Sequence, residues 1–166
     1  MCLIRKATPK DALGISIVNT YTWKTTYFNL MPDILIDSRI DALKSRAKKC
    51  KSDIEQNDNF IVAVVDDTVI GFCLYGPSRN EDYKVSGEIY ALYVLKGYQS
   101  ENVGKRLFIA GKNELIDRGY SSIIINCLKE NPSLGFYEHM GGEIVGERHD
   151  CINGQNLSEV VLYFKI

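Results

Sequence analysis

One stretch constrains this chain more than any other: the run from Glu88 to Leu107, where alternating hydrophobicity gives way to a loop and then to helical periodicity. Glu88 to Val94 alternates as a strand does. Beyond the loop, Val103, Leu107, Ala110 and Gly111 recur at helical spacing, with Phe108 and Leu115 widening the stripe. That pattern predicts a helix opening near Asn102 and packing one face. Gly119, just after Arg118, supplies the left-handed residue on which such a helix ends. A strand feeding a loop that opens a helix presents backbone N–H groups and the positive end of a macrodipole, which together suit a phosphate. Spacing excludes two familiar phosphate loops. Gly97 lies too far from Gly104-Lys105 for a P-loop, and Arg106 stands where the magnesium-binding hydroxyl belongs. The three glycines of a dinucleotide fingerprint are missing as well.

The rest of the chain reads as one domain over residues 1–166. Leu3 to Ala7 is a strand. Thr8-Pro9-Lys10-Asp11 then starts a helix, with Thr8 as N-cap, that runs to about Tyr21 on Leu13, Ile17 and Val18. An aromatic cluster around Trp23 and Tyr27 follows. Asp33 to roughly Gln56 reads as a single amphipathic helix. Phe60–Val65 and Val69–Tyr75 flank Asp66-Asp67-Thr68 as a β-hairpin, and Gly76 to Ser86 is a polar loop. After the central helix come a β-branched strand (Ser121–Leu128), a short helix behind Asn131-Pro132, and two terminal strands, Glu143–Asp150 and Leu157–Lys165. The expected fold class is α/β (α+β): a mixed, mostly antiparallel twisted sheet of six or seven strands with helices on both faces.

Composition narrows function by exclusion. A formal net charge of −1 offers no electrostatic case for nucleic acid or an anionic membrane. No apolar run approaches the roughly 20 residues of a membrane span. Five cysteines, Cys2, Cys50, Cys73, Cys127 and Cys151, are scattered without a C-x-x-C pair, which argues for a reducing cytoplasm and against a disulfide framework. His139 and His149 have no cysteine at finger-like spacing, so no metal site is expected.

Three segments carry a resemblance. Gln99-x-x-Asn102-x-Gly104 resembles the Q/R-x-x-G-x-G/A loop with which the GNAT N-acetyltransferases cradle the pyrophosphate of acetyl-coenzyme A. Asn102 stands where the family usually has glycine. Asparagine tolerates the left-handed conformation next best, so the turn is expected to form with some strain. Asn131-Pro132-Ser133-Leu134-Gly135-Phe136-Tyr137-Glu138-His139-Met140-Gly141-Gly142 is similar to the family's N-P-x-x-x-F-Y-E segment. The strand Glu88–Val94, directly before the loop, is the third. The order of predicted elements is also the family's, over nearly the whole chain.

The resemblance implies acetyl transfer from acetyl-coenzyme A, as donor substrate, to an amine. It assigns the pyrophosphate to the loop and helix start, Gln99, Ser100, Glu101, Asn102, Val103, Gly104 and Lys105, with Arg106 as a possible further charge. It assigns the pantetheine arm to Leu92, Tyr93 and Val94, with an amide near Val94 polarising the thioester carbonyl, and to Asn131. Tyr137 matches the tyrosine placed near the coenzyme sulfur. Glu88 precedes Gln99 by the same offset as the glutamate base of the histone-acetylating branch and is the candidate base, many members using a water chain instead, with Glu81 and Asp82 as weaker alternatives. Trp23 and Tyr27 either pack in the core or, as the resemblance implies, border the acceptor. The acceptor is expected to be a small-molecule amine. A protein lysine or N-terminus, and a non-catalytic acyl-coenzyme A sensing module, stay open as alternatives. Family members often form homodimers, for which the terminal strands are available.

Overall fold

The computed structural model describes residues 1–26, 33–99, 101–152 and 155–166. Strands β1 (Leu3–Lys6), β2 (Phe60–Val65), β3 (Thr68–Pro77), β4 (Gly87–Val94), β5 (Ser122–Leu128), β6 (Glu143–Ile152) and β7 (Gln155–Lys165) form one sheet in the order β1-β2-β3-β4-β5-β7-β6. Every neighbouring pair is antiparallel except β4 and β5, which run parallel. The helices are α1 (Ala12–Thr26), α2 (Asp33–Asp41), α3 (Leu43–Gln56), α4 (Val103–Asp117) and α5 (Leu134–His139). The mixed sheet and the order of elements are those expected from sequence.

Alternation along β2 shows how the two faces are filled. Ile61 and Ala63 join the cluster built on Val103, Leu107, Phe108 and Leu115 of α4. Phe60, Val62 and Val64 face the other way, onto Ala12, Ile15 and Val18 of α1 and Cys50 of α3. Helix α4 lies close to the sheet because Gly111 has no side chain; a Cβ there would stand 2.7 Å from Cys73 Sγ. The helix stops as expected, with Gly119 at φ +88°.

Several local expectations are corrected. Helix α1 continues to Thr26, and it is Ala12, Ile15 and Val18 that face the core, while Leu13 is exposed. The segment read as one helix is two, because Ala42 leaves helical geometry (φ −86°, ψ 5°) and lets α3 turn Cys50 and Ile54 against α1. Strand β3 reaches Pro77, and a single turn at Glu81–Tyr83 interrupts what was read as loop. The terminal hairpin is longer on both sides than its polar composition suggested.

The capped start of the first helical segment is also an electrostatic lock between sheet and helix. Asp11 Oδ2 accepts from the Thr8 N–H (2.7 Å) and from Thr8 Oγ1 (2.9 Å), while Arg5 of β1 grips both carboxylate oxygens at 2.7 and 2.9 Å. The Arg5 guanidinium, assisted by the Thr8 donors against the cost of burial, holds the Asp11 carboxyl below its ordinary range. A carboxyl with a depressed folded pKa stabilises above its unfolded pKa and loses that contribution as pH falls through the folded value. Asp11→Asn is therefore expected to lower stability by about 1–3 kcal/mol at neutral pH. In urea melts its deficit relative to the parent protein should shrink as pH drops below about 4.

Candidate active site

The site originates in a sheet that comes apart. Strands β4 and β5 pair only at Gly87 with Ile123 and Glu88 with Ile124. Beyond those rungs they diverge, and Ile89 to Val94 on one side and Ile125 to Cys127 on the other line a cavity of about 370 Å³. A bulge at Tyr90 marks the start of the divergence: Leu74 pairs with Ala91 but Tyr75 with Ile89. The Leu95 N–H donates to Ile70 O, so ladder alternation turns Ala91 and Tyr93 toward β3. Leu92 and Val94 therefore direct their backbone N–H and C=O groups into the gap. Here the sheet has an interior edge able to accept one more extended strand of amides.

The loop after β4 closes one end of this gap. Gln99 Nε2 donates to Val94 O at 3.0 Å, pinning the loop to the strand it leaves. Asn102 sits at φ 59°, ψ 10°, the left-handed conformation expected of it, and α4 begins at the next residue. Gln99, Asn102, Gly104 and Lys105 line the cavity there, under the amino end of a helix 15 residues long. Val103 instead points into the core at 1% exposure, and Glu101 is exposed outside the lining. Arg106 is turned away too, donating to Cys2 O at 3.1 Å.

Helix α5 supplies the opposite wall. Asn131 Oδ1 accepts from the Ser133 N–H at 2.8 Å, which forms the turn ahead of Leu134 and brings Asn131, Pro132, Ser133, Phe136 and Tyr137 to the cavity. Tyr137 is buried, and no hydrogen bond among the described residues holds its hydroxyl. Burial raises its pKa well above that of an ordinary phenol, with Cys127, Tyr93 and Cys73 adding to the shift. Cys127 lines the same cavity, its thiol pushed up to about 12 by burial and by Glu159. Such a thiol is not an activated nucleophile.

The remaining expected residues divide. Tyr93 lines the cavity and accepts from Trp23 Nε1 at 3.2 Å, but Trp23 itself stands behind, with the Arg39 guanidinium 3.4 Å above its ring. The α1 residues that reach the cavity are Thr22 and Thr26. Tyr27 and Ser100 lie outside the described residues. Glu88 is not brought to the cavity wall. It is 1% exposed, and its carboxylate accepts from the Arg79 N–H (2.7 Å), Arg79 Nη2 (3.1 Å) and Asn126 Nδ2 (3.2 Å). Those bonds hold it by the last paired rung of β4 and β5, so the structure does not place it as a base facing a substrate. Asn126, Thr22 and Cys127 were missed by sequence reading, since an asparagine in a strand, a threonine in a helix and an isolated cysteine carry no spacing signal.

This architecture matches known proteins throughout. The model of the acetyltransferase (GNAT) family matches residues 20–142. The uncharacterized N-acetyltransferase YuaI of Bacillus subtilis (strain 168) is 32% identical over 98% of this chain and 92% of its own length. Among solved structures, the PaiA N-acetyltransferase of Thermoplasma acidophilum in complex with coenzyme A superposes with a TM-score of 0.79 at 21% identity, covering 100% of this chain and 99% of that one. YncA of Salmonella typhimurium, a putative acetyltransferase solved with acetyl-CoA, gives 0.75 at 14% identity over 99% and 94% of the two chains. The chain belongs to the GNAT acetyltransferase family.

The left-handed turn gives a direct test of the loop. Asn102→Gly is expected to leave thermal stability within about 0.5 kcal/mol of the parent, whereas the β-branched Asn102→Val should cost about 1–2 kcal/mol. Equal melting temperatures for the two variants would contradict the conformation described.

Proposed function

We propose that the protein transfers the acetyl group of acetyl-coenzyme A to the primary amine of a small molecule, by direct attack with both substrates bound. The observation that carries this reading is the interior edge of β4, opened by the divergence from β5 and facing Tyr137 across a cavity that ends at the amino terminus of α4. Each part of the donor has a counterpart. The pyrophosphate suits the backbone N–H groups at the start of α4 and the Lys105 ammonium. The pantetheine amides suit the inward-turned groups of Leu92 and Val94, with the Asn131 region on the far wall.

The chemistry needs an unprotonated amine, a donor to the developing oxyanion and a proton for the leaving thiolate. The amine nitrogen bonds to the thioester carbonyl carbon, the C–S bond breaks, one amine proton passes to water and the thiolate becomes a thiol. The Val94 N–H is a fixed dipole at the place where the oxyanion develops, and such donors commonly supply the largest catalytic contribution. Tyr137 donates a hydrogen bond to the thiolate. Full proton transfer from an ordinary phenol to a thiolate is already uphill by roughly 2 kcal/mol, and the raised pKa of Tyr137 makes it more so. Its part is therefore stabilisation, with the final proton drawn from solvent. A covalent route through Cys127 is disfavoured by the protonated state of its thiol.

Calorimetry with acetyl-coenzyme A followed by thiol release on a panel of primary amines tests the proposal. Turnover of a peptide amine alone would replace the small-molecule acceptor, and lack of coenzyme binding by folded protein would remove the reading altogether. Tyr137→Phe is expected to lower kcat about 100-fold while leaving coenzyme affinity unchanged. Cys127→Ala should retain activity within about threefold, where a covalent route would abolish it. With the parent enzyme, kcat/KM should rise about tenfold per pH unit toward the amine's own pKa near 10, with no descending limb from Tyr137, which stays protonated.

A further inference from the structure

Arg79, in the segment between β3 and β4, has a side chain that is 66% exposed and yet is held in place. Its backbone N–H donates to Glu88 Oε2 at 2.7 Å and its Nη2 to Glu88 Oε1 at 3.1 Å. Its Cζ lies 3.9 Å from the centre of the Tyr90 ring. A guanidinium carries five N–H donors in one plane. Glu88 takes one of them, and Tyr90 covers one face. The other donors have no protein partner among the described residues, and Glu81 of the same segment is engaged by Lys84. Ordering a long arginine side chain costs up to about 2 kcal/mol of rotamer freedom. Here that cost is met in advance, while the edge of the guanidinium stays open to solvent.

The same contacts tie the guanidinium to the cavity wall. Arg79 Nη2 and Asn126 Nδ2 meet on one oxygen, Glu88 Oε1, at 3.1 and 3.2 Å, and both Asn126 and Tyr90 line the cavity. Glu88 belongs to the last paired rung of β4 and β5, at the end of the gap remote from the start of α4. Among the described residues lining the cavity, Lys105 is the only charged one, and it lies at the α4 end that suits the pyrophosphate. Arg79 is the cation at the other end. Within its ion pair Glu88 is the inward member, at 1% exposure, and Arg79 the outward one. A ligand arriving from solvent therefore meets the guanidinium and not the carboxylate.

We propose that Arg79 binds a carboxylate carried by the acceptor, so that the substrate is an amino acid or a related amino carboxylate. This rests on the acetyltransferase reading above. The planar fork of a guanidinium matches a carboxylate with two parallel hydrogen bonds. Because Glu88 and Tyr90 already hold the side chain, binding loses little further freedom. With its acid group on Arg79, the acceptor directs its amine along the gap toward Val94 and Tyr137. Arg79 is thus a substrate-binding residue that sets specificity and takes no part in the bond changes.

Paired substrates separate recognition of the acid group from mere support of the fold. The probes are straight-chain amino carboxylates from glycine to 6-aminohexanoate, each compared with the n-alkylamine of matching length at saturating acetyl-coenzyme A. For the best member, KM should lie about ten- to hundredfold below that of its alkylamine. Arg79→Met keeps the aliphatic stem over Tyr90 and should bring the two KM values within about threefold of each other, the change falling on KM and not on kcat. Arg79→Lys keeps the charge without the fork and should retain only part of the preference, which also covers a methionine variant that does not fold. A purely structural role would shift both substrates of a pair alike and leave their ratio intact. No preference for any carboxylate in the parent protein, a preference that survives in Arg79→Met, or no turnover of either series by protein that binds acetyl-coenzyme A would each overturn this inference and leave acetyl transfer to another acceptor standing. Failure of the parent protein to bind acetyl-coenzyme A would overturn both.

Discussion

Everything functional in this molecule depends on two neighbouring strands that stop pairing. A continuous ladder between β4 and β5 would satisfy the backbone groups of Leu92 and Val94 and leave no cavity. Pairing confined to Gly87–Glu88 and Ile123–Ile124 leaves the groups of Leu92 and the Val94 N–H facing an open gap, while Val94 O is taken by Gln99. Unpaired backbone inside a protein is expensive, and the structure tolerates it where a ligand able to supply the missing bonds can enter. The rest of the fold holds the gap at its width. Helix α4 is seated closely on β3 through Gly111, α5 packs through Phe136 and Tyr137, and β7 continues the sheet beyond β5.

The pinning contacts at the mouth of the gap are short and local. Gln99 ties its loop to Val94, and Asn102 makes the left-handed step that lets α4 start with its N–H groups directed at the cavity. Asparagine meets this conformational demand without glycine's larger loss of backbone freedom on folding. On the opposite wall, burial is the largest influence on Tyr137 and Cys127, with Glu159 adding to it at Cys127. Both stay protonated, which leaves one as a hydrogen-bond donor and the other inert.

Glu88 shows how a residue can match a motif and still be held off the cavity wall. Its offset from Gln99 suggested a base. In three dimensions Arg79 and Asn126 occupy its carboxylate, and both lie outside the motif, Arg79 in the segment just before β4 and Asn126 on β5. Arg79 lies in the segment between β3 and β4, and Asn126 on the far side of the cavity. A carboxyl group buried at this depth needs those donors around it.

The sequence by itself determined the family and the order of the elements, and it picked out the loop and the Asn-Pro turn that line the cavity. Those depend on local signals: strand alternation, a helix start after a tight loop, a left-handed position at Asn102, and an Asn-Pro turn leading to Tyr137. The break at Ala42 and the outward turn of Leu13 escaped it because packing of α3 on α1 overrides a continuous helical pattern. Only the tertiary structure decided what Glu88 faces, that Trp23 stands behind Tyr93 while Thr22 reaches the cavity, and that Asn126 of β5 joins Thr22 in its lining. These are relations between residues far apart in the chain, created where β4 and β5 part. Periodicity cannot encode them, because they depend on the width and direction of that divergence.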